Sequence, residues 1–325
     1  MFSRGFTPVV LMLAWCAAEA GDLQRLEIQD EAMGGTWAIV LYGHDRANLE
    51  AASAAAVEEL HRLDHILSNY QAGSEWSAVN RTAGREPLKI SPELFQLLSA
   101  CLSYSRKSEG AFDITVGPLL KVWGFYKAEG SLPRPAEVAQ ALVNVGYRQV
   151  RLDSANQTVQ FDRPGVELDP GGIGKGYAVD RMVEVLKRYG IDRALISGAG
   201  SSIYGLGAPP GDPEGWRITI RAQHDARKAA EEVFLKNMSL STSGSYERFF
   251  RAGGRRYSHI MDPRTGYPAQ GTASVSVLAP HTIDSEAWSK PYFINGRAWT
   301  AAHKPADFRV FLCEDTNPQA CSWVQ

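Results

Sequence analysis

Cysteine is scarce in this sequence, and its arrangement excludes the common sulfur-based sites. The 325 residues contain four cysteines, with no Cys-x-x-Cys pair and no Cys/His spacing typical of zinc. Cys101 lies in an apolar helical run and is expected in the core. Cys313 and Cys321 flank a turn-rich stretch, so an oxidising compartment would permit a small C-terminal disulfide, although the sequence leaves that pairing open.

An excess of charge of either sign is also missing. The chain has 34 basic and 36 acidic residues and a formal net charge of −2. This balance gives no overall attraction for nucleic acid or for an anionic membrane. We therefore expect no nucleic-acid partner, and any anionic ligand must be held by a local site. The chain is 44% hydrophobic, which is enough to bury one large core or two smaller ones.

Long apolar runs are absent except near the N-terminus. Arg4 precedes the apolar stretch at 6–18, and Ala-Glu-Ala at 18–20 is a small-x-small cleavage sequence. Together they predict a signal peptide over residues 1–20. The apolar run is too short to span a bilayer comfortably.

Lipid anchoring at Cys16 is the alternative use of this N-terminal segment. The bulky Trp15 directly before Cys16 argues against it. We therefore expect membrane association only if Cys16 carries a lipid, and otherwise an exported, periplasmic protein. Its mature part is predicted to be a single domain over residues 21–325.

Helical and strand patterns are mixed along the chain without strict alternation, which predicts an α+β fold. Apolar spacing predicts a helix over 48–67. A second helix is predicted over 91–110, with Ser91 as N-cap and Pro92 in its first turn. Two alternating runs over 150–161 predict a hairpin. No internal repeat is evident.

A glycine-rich stretch over 170–176 lies between a predicted strand at 166–169 and a predicted helix from Tyr177. Glycines at a helix start let backbone N–H groups approach an anion, and Lys175 adds a full charge. The stretch is not a Walker A loop, because G-x-x-x-x-G-K-[ST] is absent. Phosphate binding and a tight connection with an exposed lysine are both open. A second Gly/Ser loop over 198–207 could wrap a ligand or only turn the chain.

Other candidates come from loops rich in polar residues. Tyr70 follows a helix and could stack on a flat ring or pack in the core. Ser241, Thr242, Ser243, His259 and Asp262 are predicted to lie in one region, although a histidine at a strand end is often structural. A serine-hydrolase elbow, G-x-S-x-G, is absent.

The stretch after the apolar run at 274–280 carries Asp284, Glu286 and Lys290. Acids just past a strand can hold a metal ion. A lysine four residues after a glutamate can instead cancel its charge as an ordinary helix pair. The residues alone leave open a metal site, a former metal site and a solvated helix end.

Six ordered motifs resemble the ApbE family, the FAD:protein FMN transferases, and the resemblance runs from about Met33 to Gly296. They are MGGTW, LSNYQAGSEWSAVN, GAFDITVGPLLKVWGF, LDPGGIGKGYAVD, LSTSGSYERFF and YSHIMDPRTG. The resemblance implies a duplicated T-fold-like α+β arrangement around a central flavin cleft. It implies FAD as substrate, often with magnesium, and transfer of FMN onto a threonine or serine hydroxyl with release of AMP. Acceptors would be proteins of exported or membrane redox complexes.

The resemblance also implies roles for individual residues. Tyr70 would stack on the isoalloxazine ring, and Asp113 and Thr115 would line the flavin pocket. His259 would be the general base, supported by Asp262. The remaining ligand contacts would come from two further segments, the glycine loop and the serine-rich strand: Gly172, Ile173, Gly174, Lys175, Thr242 and Ser243. The Gly174 carbonyl, Glu286 and Asp284 would be the metal ligands.

The chain departs from the family at that metal site. The family pattern Asp-Ala-x-x-Thr aligns with Glu286-Ala287-Trp288-Ser289-Lys290, and an ammonium has no lone pair for a metal. Lys290 could neutralise phosphate itself, pair with Glu286, or turn to solvent while Asp284 and Glu286 keep an ion. Two functions therefore stay open: an exported transferase, and a flavin-binding relative that carries flavin or weakly hydrolyses FAD for a redox complex.

Overall fold

The computed structural model describes residues 22–127, 130–222, 229–315 and 321–325. Its strands are β1 (Gln24–Ala32), β2 (Gly35–Gly43), β3 (Leu88–Lys89), β4 (Val150–Asp153), β5 (Thr158–Phe161), β6 (Ala194–Gly198), β7 (Ser202–Leu206), β8 (Trp216–Arg221), β9 (Ala229–Leu235), β10 (Met238–Gly244), β11 (Phe249–Ala252), β12 (Arg255–Ser258), β13 (Met261–Asp262), β14 (Tyr267–Pro268), β15 (Thr272–Ala279), β16 (Arg309–Glu314) and β17 (Cys321–Trp323). Its helices are α1 (Arg46–Leu67), α2 (Glu75–Thr82), α3 (Pro92–Lys107), α4 (Gly117–Val122), α5 (Pro135–Leu142), α6 (Gly174–Arg188) and α7 (Thr282–His303).

An eight-stranded antiparallel sheet organises the molecule. Its strand order is β1-β2-β6-β7-β10-β15-β16-β17. Along the chain, α1 and α6 lie between the pair β1–β2 and the pair β6–β7. In the same way, α7 lies between β10 and β15 on one side and β16 and β17 on the other. The α7 backbone leaves the helical conformation at Gly296 (φ 73°, ψ −174°), so α7 consists of two helical segments. Each half is therefore two strands, two helical segments and two strands, which agrees with the duplication that the resemblance implies.

The helices of both halves cover one face of the sheet. Side chains of neighbouring strand residues point to opposite faces, so the residues that pack on the helices identify that face. Ile39 and Leu41 of β2 pack with α1 and α6, and Val275 and Val277 of β15 pack with α7. The opposite face packs against the β8–β9 hairpin through Trp216 and its neighbours. Helices α6 and α7 contact each other where the two halves meet.

A long insertion separates α1 from α6 and forms its own core. It contains α2 to α5 and the small sheet β3-β5-β4. Trp76, Leu98 and Phe161 are buried there, and Cys101 is buried with them, as predicted. The insertion ends at Asp169, directly before the glycine loop and α6. The Asn69 side chain donates to Asp169, so the segment of Tyr70 and the glycine loop lie next to each other.

Several local predictions are confirmed. The helix α1 covers the predicted 48–67, and α3 begins at Pro92 with the Ser91 side chain accepting from Leu94 N–H. The hairpin over 150–161 is β4–β5. Cys313 and Cys321 form a disulfide, and they are paired across β16 and β17.

Two local predictions are wrong. Residues 166–169 are not a strand, since Leu168 exchanges hydrogen bonds with the Asn80 side chain instead of a neighbouring strand. Part of the second Gly/Ser loop is the strand β7, which pairs with β6 and β10. The α+β class itself is confirmed by these mixed elements.

The predicted signal peptide over 1–20, with Cys16, lies outside the described residues. Within the described part of the chain, none of the helices combines the length and apolar character needed to cross a bilayer.

Candidate functional site

The glycine loop meets α7 at Gly176, in the first turn of α6. A β-carbon at Gly176 would lie 2.5 Å from the Thr282 carbonyl oxygen and 2.9 Å from Glu286 Oε2. Only a residue without a side chain allows α6 and α7 to approach this closely. Glycine at position 176 therefore brings the start of α6 against the first two turns of α7.

Asp180, one turn further along α6, fixes the start of α7. Its two carboxylate oxygens accept hydrogen bonds from Thr282 N–H and Ile283 N–H, each at 2.8 Å. These N–H groups belong to the first turn of α7 and have no partner within the helix. Burial raises the pKa of the Asp180 carboxyl, and its hydrogen bonds to the two N–H groups oppose that rise. The orientation of α7 on α6 is thus set by a carboxylate from outside α7.

Glu286 is buried between the two helices, with 2% of its surface exposed. Its Oε2 accepts a hydrogen bond from Gly176 N–H. Its Oε1 lies 3.9 Å from Lys290 Nζ. The carboxylate therefore has a backbone donor on one oxygen and a lysine near the other, rather than facing solvent as a free ligand.

Lys290 lies beside the glycine loop. Its Nζ donates to the Glu286 carbonyl oxygen at 3.1 Å, and 22% of its side chain is exposed. A β-carbon on Gly172 would be 3.7 Å from Lys290 Cε. Burial lowers the pKa of Lys290 to about 8; Glu286 opposes that change and Lys175 adds to it. The Lys290 side chain therefore lies beside the loop and is only partly open to solvent.

Lys175 supplies a second ammonium group to the same place. Its Nζ donates to Ser201 Oγ at 2.6 Å, which ties the glycine loop to the second Gly/Ser loop. The backbone N–H of Thr242 donates to the Ser201 carbonyl at 2.8 Å. Two lysines and the positive end of the α6 dipole therefore converge on the glycine loop, as an anion site requires.

His259 lies near this cationic group. Its pKa is lowered to about 4, mainly by burial, and the charges of Arg248, Lys290 and Lys175 lower it further. The ring Nδ1 is 3.2 Å from the Arg248 carbonyl oxygen. A carbonyl only accepts, so Nδ1 carries the proton and Nε2 has the free lone pair. His259 is therefore a neutral base near neutral pH.

Asp262 is paired with Arg264 in the structure, and its support of His259 stays a prediction. Asp262 accepts from Arg264 at 2.9 Å and 3.0 Å, in a two-pronged ion pair two residues away. The guanidinium of Arg264 also donates to Asn295 at 2.8 Å. The carboxylate fixes the turn after β13, and the Arg248 carbonyl is the group that holds the imidazole.

Tyr70 lies on the rim of the site, with 75% of its surface exposed. This excludes the core-packing alternative and leaves the ring free to stack on a ligand. Tyr70 contacts Tyr126 edge to face at 6.1 Å between ring centroids. The Tyr126 hydroxyl donates to Asp169 Oδ2 at 2.7 Å, and Gly171 N–H donates to Asp169 Oδ1 at 2.8 Å. The stacking platform is thereby connected to the glycine loop.

Asn69, Tyr126 and Asp169 are site residues that the sequence reasoning missed. Asn69 Nδ2 donates to Asp169 at 2.8 Å, while the buried Asn69 Oδ1 has no hydrogen-bond partner among the described residues. Burial raises the pKa of Asp169, and its hydrogen bonds with Tyr126 and Gly171 oppose that rise. Asp169 directly precedes the glycine loop in the motif LDPGGIGKGYAVD. That position was the one sequence signal that could have identified it as a site residue.

Asp113 and Thr115, which the resemblance assigns to the flavin pocket, hydrogen-bond to each other and to the backbone of the insertion. Asp113 accepts from the N–H and hydroxyl of Thr115 at 2.8 Å and 2.7 Å, and from Tyr147 N–H at 2.6 Å. Thr115 Oγ1 in turn accepts from Gly146 N–H at 2.7 Å. Burial raises the pKa of Asp113 to about 6. Both residues hold the insertion together.

Ile173 and Gly174 lie where the glycine loop enters α6, and their ligand contacts stay predictions. The Ile173 side chain is fully buried in the core of the insertion, so only its backbone could meet a ligand. Gly174 is the first residue of α6 and is buried. Its N–H donates to the Pro170 carbonyl at 2.8 Å.

The serine-rich strand β10 faces α7. Ser243 shares a hydrogen bond with Ser289 at 2.7 Å, and Ser241 shares one with Ser285 at 2.8 Å. Thr242 points the other way and shares one with Ser276 at 2.8 Å. The partner of Ser243, Ser289, directly precedes Lys290, so Ser243 positions this part of α7. Thr242 connects the sheet to the second Gly/Ser loop through its backbone N–H.

Magnesium does not fit the predicted ligands. Asp284 accepts from the Tyr104 hydroxyl at 2.6 Å and faces away from the partners of Glu286. Lys290 places a positive charge beside Glu286, and an ammonium repels a cation and offers no lone pair. Across the residues that the structure describes, no group of three or more His, Cys, Asp or Glu side chains is arranged to hold a metal ion. The arrangement with Asp284 and Glu286 sharing an ion is not the one observed.

Comparisons with known proteins agree with this geometry. The model of the ApbE family matches residues 33–311. An FAD:protein FMN transferase of Treponema pallidum is 35% identical over 260 residues, covering 74% of this chain and 72% of the relative. One from Klebsiella pneumoniae is 32% identical over 263 residues, covering 80% and 79%.

Solved structures show the same fold. The ApbE protein of Thermotoga maritima superposes with a TM-score of 0.83 at 29% identity, covering 92% of this chain and 96% of that one. The apo flavinyl transferase ApbE of Pseudomonas stutzeri superposes with a TM-score of 0.80 at 26% identity, covering 93% and 94%.

Proposed function

This chain belongs to the ApbE family, and from that premise we propose that it is an FAD:protein FMN transferase. It moves FMN from FAD to a threonine or serine hydroxyl of an acceptor protein. The hydroxyl oxygen bonds to the phosphorus of the FMN half, the bridging P–O bond breaks, and AMP leaves. The hydroxyl proton goes to a base, so the reaction needs no other reactant.

One observation carries the proposal: an exposed aromatic ring and a neutral histidine both lie near a cationic helix start. FAD presents a flat ring and a diphosphate, which need those two kinds of contact. Tyr70 offers an exposed ring, and Lys175 and Lys290 lie at the start of α6. His259 is close enough to both lysines for their charges to lower its pKa.

The base chemistry follows from the tautomer of His259. With Nδ1–H directed to the Arg248 carbonyl, Nε2 is the atom that accepts the acceptor's hydroxyl proton. The low pKa keeps that atom unprotonated at neutral pH. A positioned base contributes roughly 10²–10⁴-fold to such a rate.

Charge stabilisation follows from the helix start. As the bridging bond breaks, negative charge grows on the phosphate of the AMP half. The two ammonium groups and the α6 N-terminus are fixed in place before the reaction, so they stabilise this charge without reorganising. Because the described residues do not fit magnesium, no step is assigned to a metal.

A mass measurement tests transfer directly. The purified chain is incubated with FAD and a candidate acceptor domain, and the intact acceptor is weighed. Transfer adds FMN to the acceptor in one covalent unit, and the His259→Ala variant serves as the control. If FAD binds but several acceptor domains keep their mass, the chain is a flavin carrier instead; release of AMP without an acceptor would identify a hydrolase.

We further propose that the protein is exported and modifies a subunit of an exported or membrane redox complex. The proposal is supported by the signal-like sequence over 1–20 and the potential cleavage site at 18–20. N-terminal sequencing of the protein recovered from the periplasm tests it. A mature chain starting at Gly21 supports export, a lipid on Cys16 supports anchoring, and an intact Met1 in the cytoplasm contradicts both.

A further inference from the structure

We propose that the Lys290 ammonium serves as a built-in counter-charge for the FAD diphosphate, so that FAD binds this protein without a divalent cation. The inference rests on the proposed function only in taking FAD as the ligand. It concerns binding, and it stands or falls independently of transfer.

The position of the side chain is the first argument. Lys290 Cε lies 3.7 Å from the place where a β-carbon of Gly172 would be. The end of the aliphatic stem thus lies beside the glycine loop, at ordinary van der Waals distance from that position. The Nζ is held on α7 by the Glu286 carbonyl at 3.1 Å. The ammonium has two further N–H donors to offer a ligand.

Glu286 supplies the second argument, because its geometry differs from that of a metal ligand. One oxygen is occupied by Gly176 N–H, and the other is 3.9 Å from Lys290 Nζ. At 2% exposure the carboxylate is buried, and a buried carboxylate needs a compensating charge. Lys290 provides that charge, and Glu286 keeps the ammonium directed toward the loop.

The charge balance is the third argument. The FAD diphosphate carries two negative charges. Lys175 from the start of α6 and Lys290 from α7 bring two ammonium groups to this helix start. A lysine binds phosphate as a point charge. A divalent cation added there would lie within a few ångströms of Lys290 and be repelled by it. Together with the Glu286 carboxylate these two lysines leave one net positive charge, to which the N-terminus of α6 adds, so the site attracts a diphosphate as the chain stands.

A structural role for Lys290 is the competing explanation. In that case the residue would only satisfy Glu286, as an i,i+4 pair does on many helices. Its removal would then alter folding stability but not the affinity of the folded protein for FAD. Binding measurements on folded variants separate the two roles.

The experiment measures FAD affinity by flavin fluorescence on the purified protein, with EDTA or with magnesium. We expect the same affinity of the wild type in both buffers. The variant Lys290→Met keeps the aliphatic stem without the charge and should weaken FAD binding roughly 10- to 100-fold, the scale of a lost hydrogen bond to a charged group. Lys290→Arg keeps the charge and should retain most of the affinity.

Lys187→Met is the matched control, because Lys187 is exposed at the other end of α6 and its loss changes net charge equally. It should leave FAD affinity unchanged. Melting temperatures verify that each variant is folded before its affinity is read. The double change Glu286→Asp with Lys290→Thr restores the family pattern and should make binding depend on magnesium.

Two results would overturn the inference. One is loss of wild-type FAD binding in EDTA, which needs no variant and therefore cannot be confused with misfolding. The other is a folded Lys290→Met variant with wild-type affinity. A protein that binds FAD in the predicted way but modifies no acceptor would instead refute the proposed transfer and leave this inference standing.

Discussion

The site has two sides that are built differently. The anion side comprises Gly172, Lys175, Glu286 and Lys290, at the contact of α6 with α7. The proton side comprises His259 at the end of β12, with the Arg248 carbonyl as its partner. The anion side joins the two halves of the fold and carries three charged side chains, of which Glu286 and Lys290 pair with each other and Lys175 binds Ser201. The proton side is a single neutral ring, which binds one backbone carbonyl and contacts the Phe125 ring edge to face.

This difference indicates that binding and proton transfer are separable in this protein. The anion side depends on the packing of two helices, so changes there should affect affinity and stability together. The proton side makes few contacts that the fold needs, so changes there should affect the rate alone. The following substitutions test that separation.

Replacing His259 with alanine should have the largest effect. Transfer to an acceptor should fall by roughly 10²–10⁴-fold, the scale for loss of a general base. FAD affinity should stay close to that of the wild type, because the anion side is intact. Single-turnover rates and fluorescence titrations on the same preparation measure both quantities. A rate that stays at the wild-type level would show that His259 is structural.

Gly176→Ala should break the anion side. The added β-carbon would lie 2.5 Å from the Thr282 carbonyl, so α7 must shift and carry Glu286 and Lys290 with it. Overpacking of this kind costs about 1–3 kcal/mol of unfolding free energy, and FAD affinity should fall as well. Gly73→Ala is the matched control, since a β-carbon there meets nothing within 4 Å. Equal melting temperatures and affinities for the two variants would refute the helix-contact argument.

The pH dependence of transfer should reveal the environment of the proton side. An unperturbed histidine would lose its base function as the pH falls through about 6.5. Burial, with the charges of Arg248, Lys290 and Lys175, lowers the pKa of His259 to about 4. The rate of transfer from bound FAD should therefore stay level between pH 7 and pH 5 and decline only near pH 4. Half-maximal loss near pH 6.5 would show that the ring is not held in this environment.

Much of the fold follows from local patterns in the sequence. The Ser91 cap, Pro92 and the apolar period defined α3, and the alternating runs defined β4 and β5. Those elements depend on nearest neighbours in the chain. The run at 166–169 has the composition of a strand, but its hydrogen-bonding groups are used by the Asn80 side chain and by Ile114. Partners that are so distant in the sequence produce no periodic pattern of apolar residues from which they could be predicted.

The site was predictable in its composition and not in its contacts. The motifs named His259, Lys175 and Lys290, and the structure brings all three together. They could not show that the Glu286 carboxylate would accept a hydrogen bond from Gly176 N–H, since that contact depends on how α6 packs against α7. Nor could they show that Asp284, two residues away on the same helix, would instead bind the Tyr104 hydroxyl.

Asp262→Asn should have the smallest effect and decides between the sequence interpretation and the structure. If Asp262 supported His259, as the motif suggested, its loss would lower transfer steeply and move the acid limb of the pH profile. In the structure both carboxylate oxygens of Asp262 bind Arg264, and the Arg264 side chain is 39% exposed. Partly exposed ion pairs are worth about 0–1 kcal/mol, so transfer should change by less than about fivefold with the same pH limb. Arg264→Gln removes the other half of the pair and should match Asp262→Asn in melting temperature, rate and pH profile. A much larger loss of rate in Asp262→Asn alone would return Asp262 to the proton side.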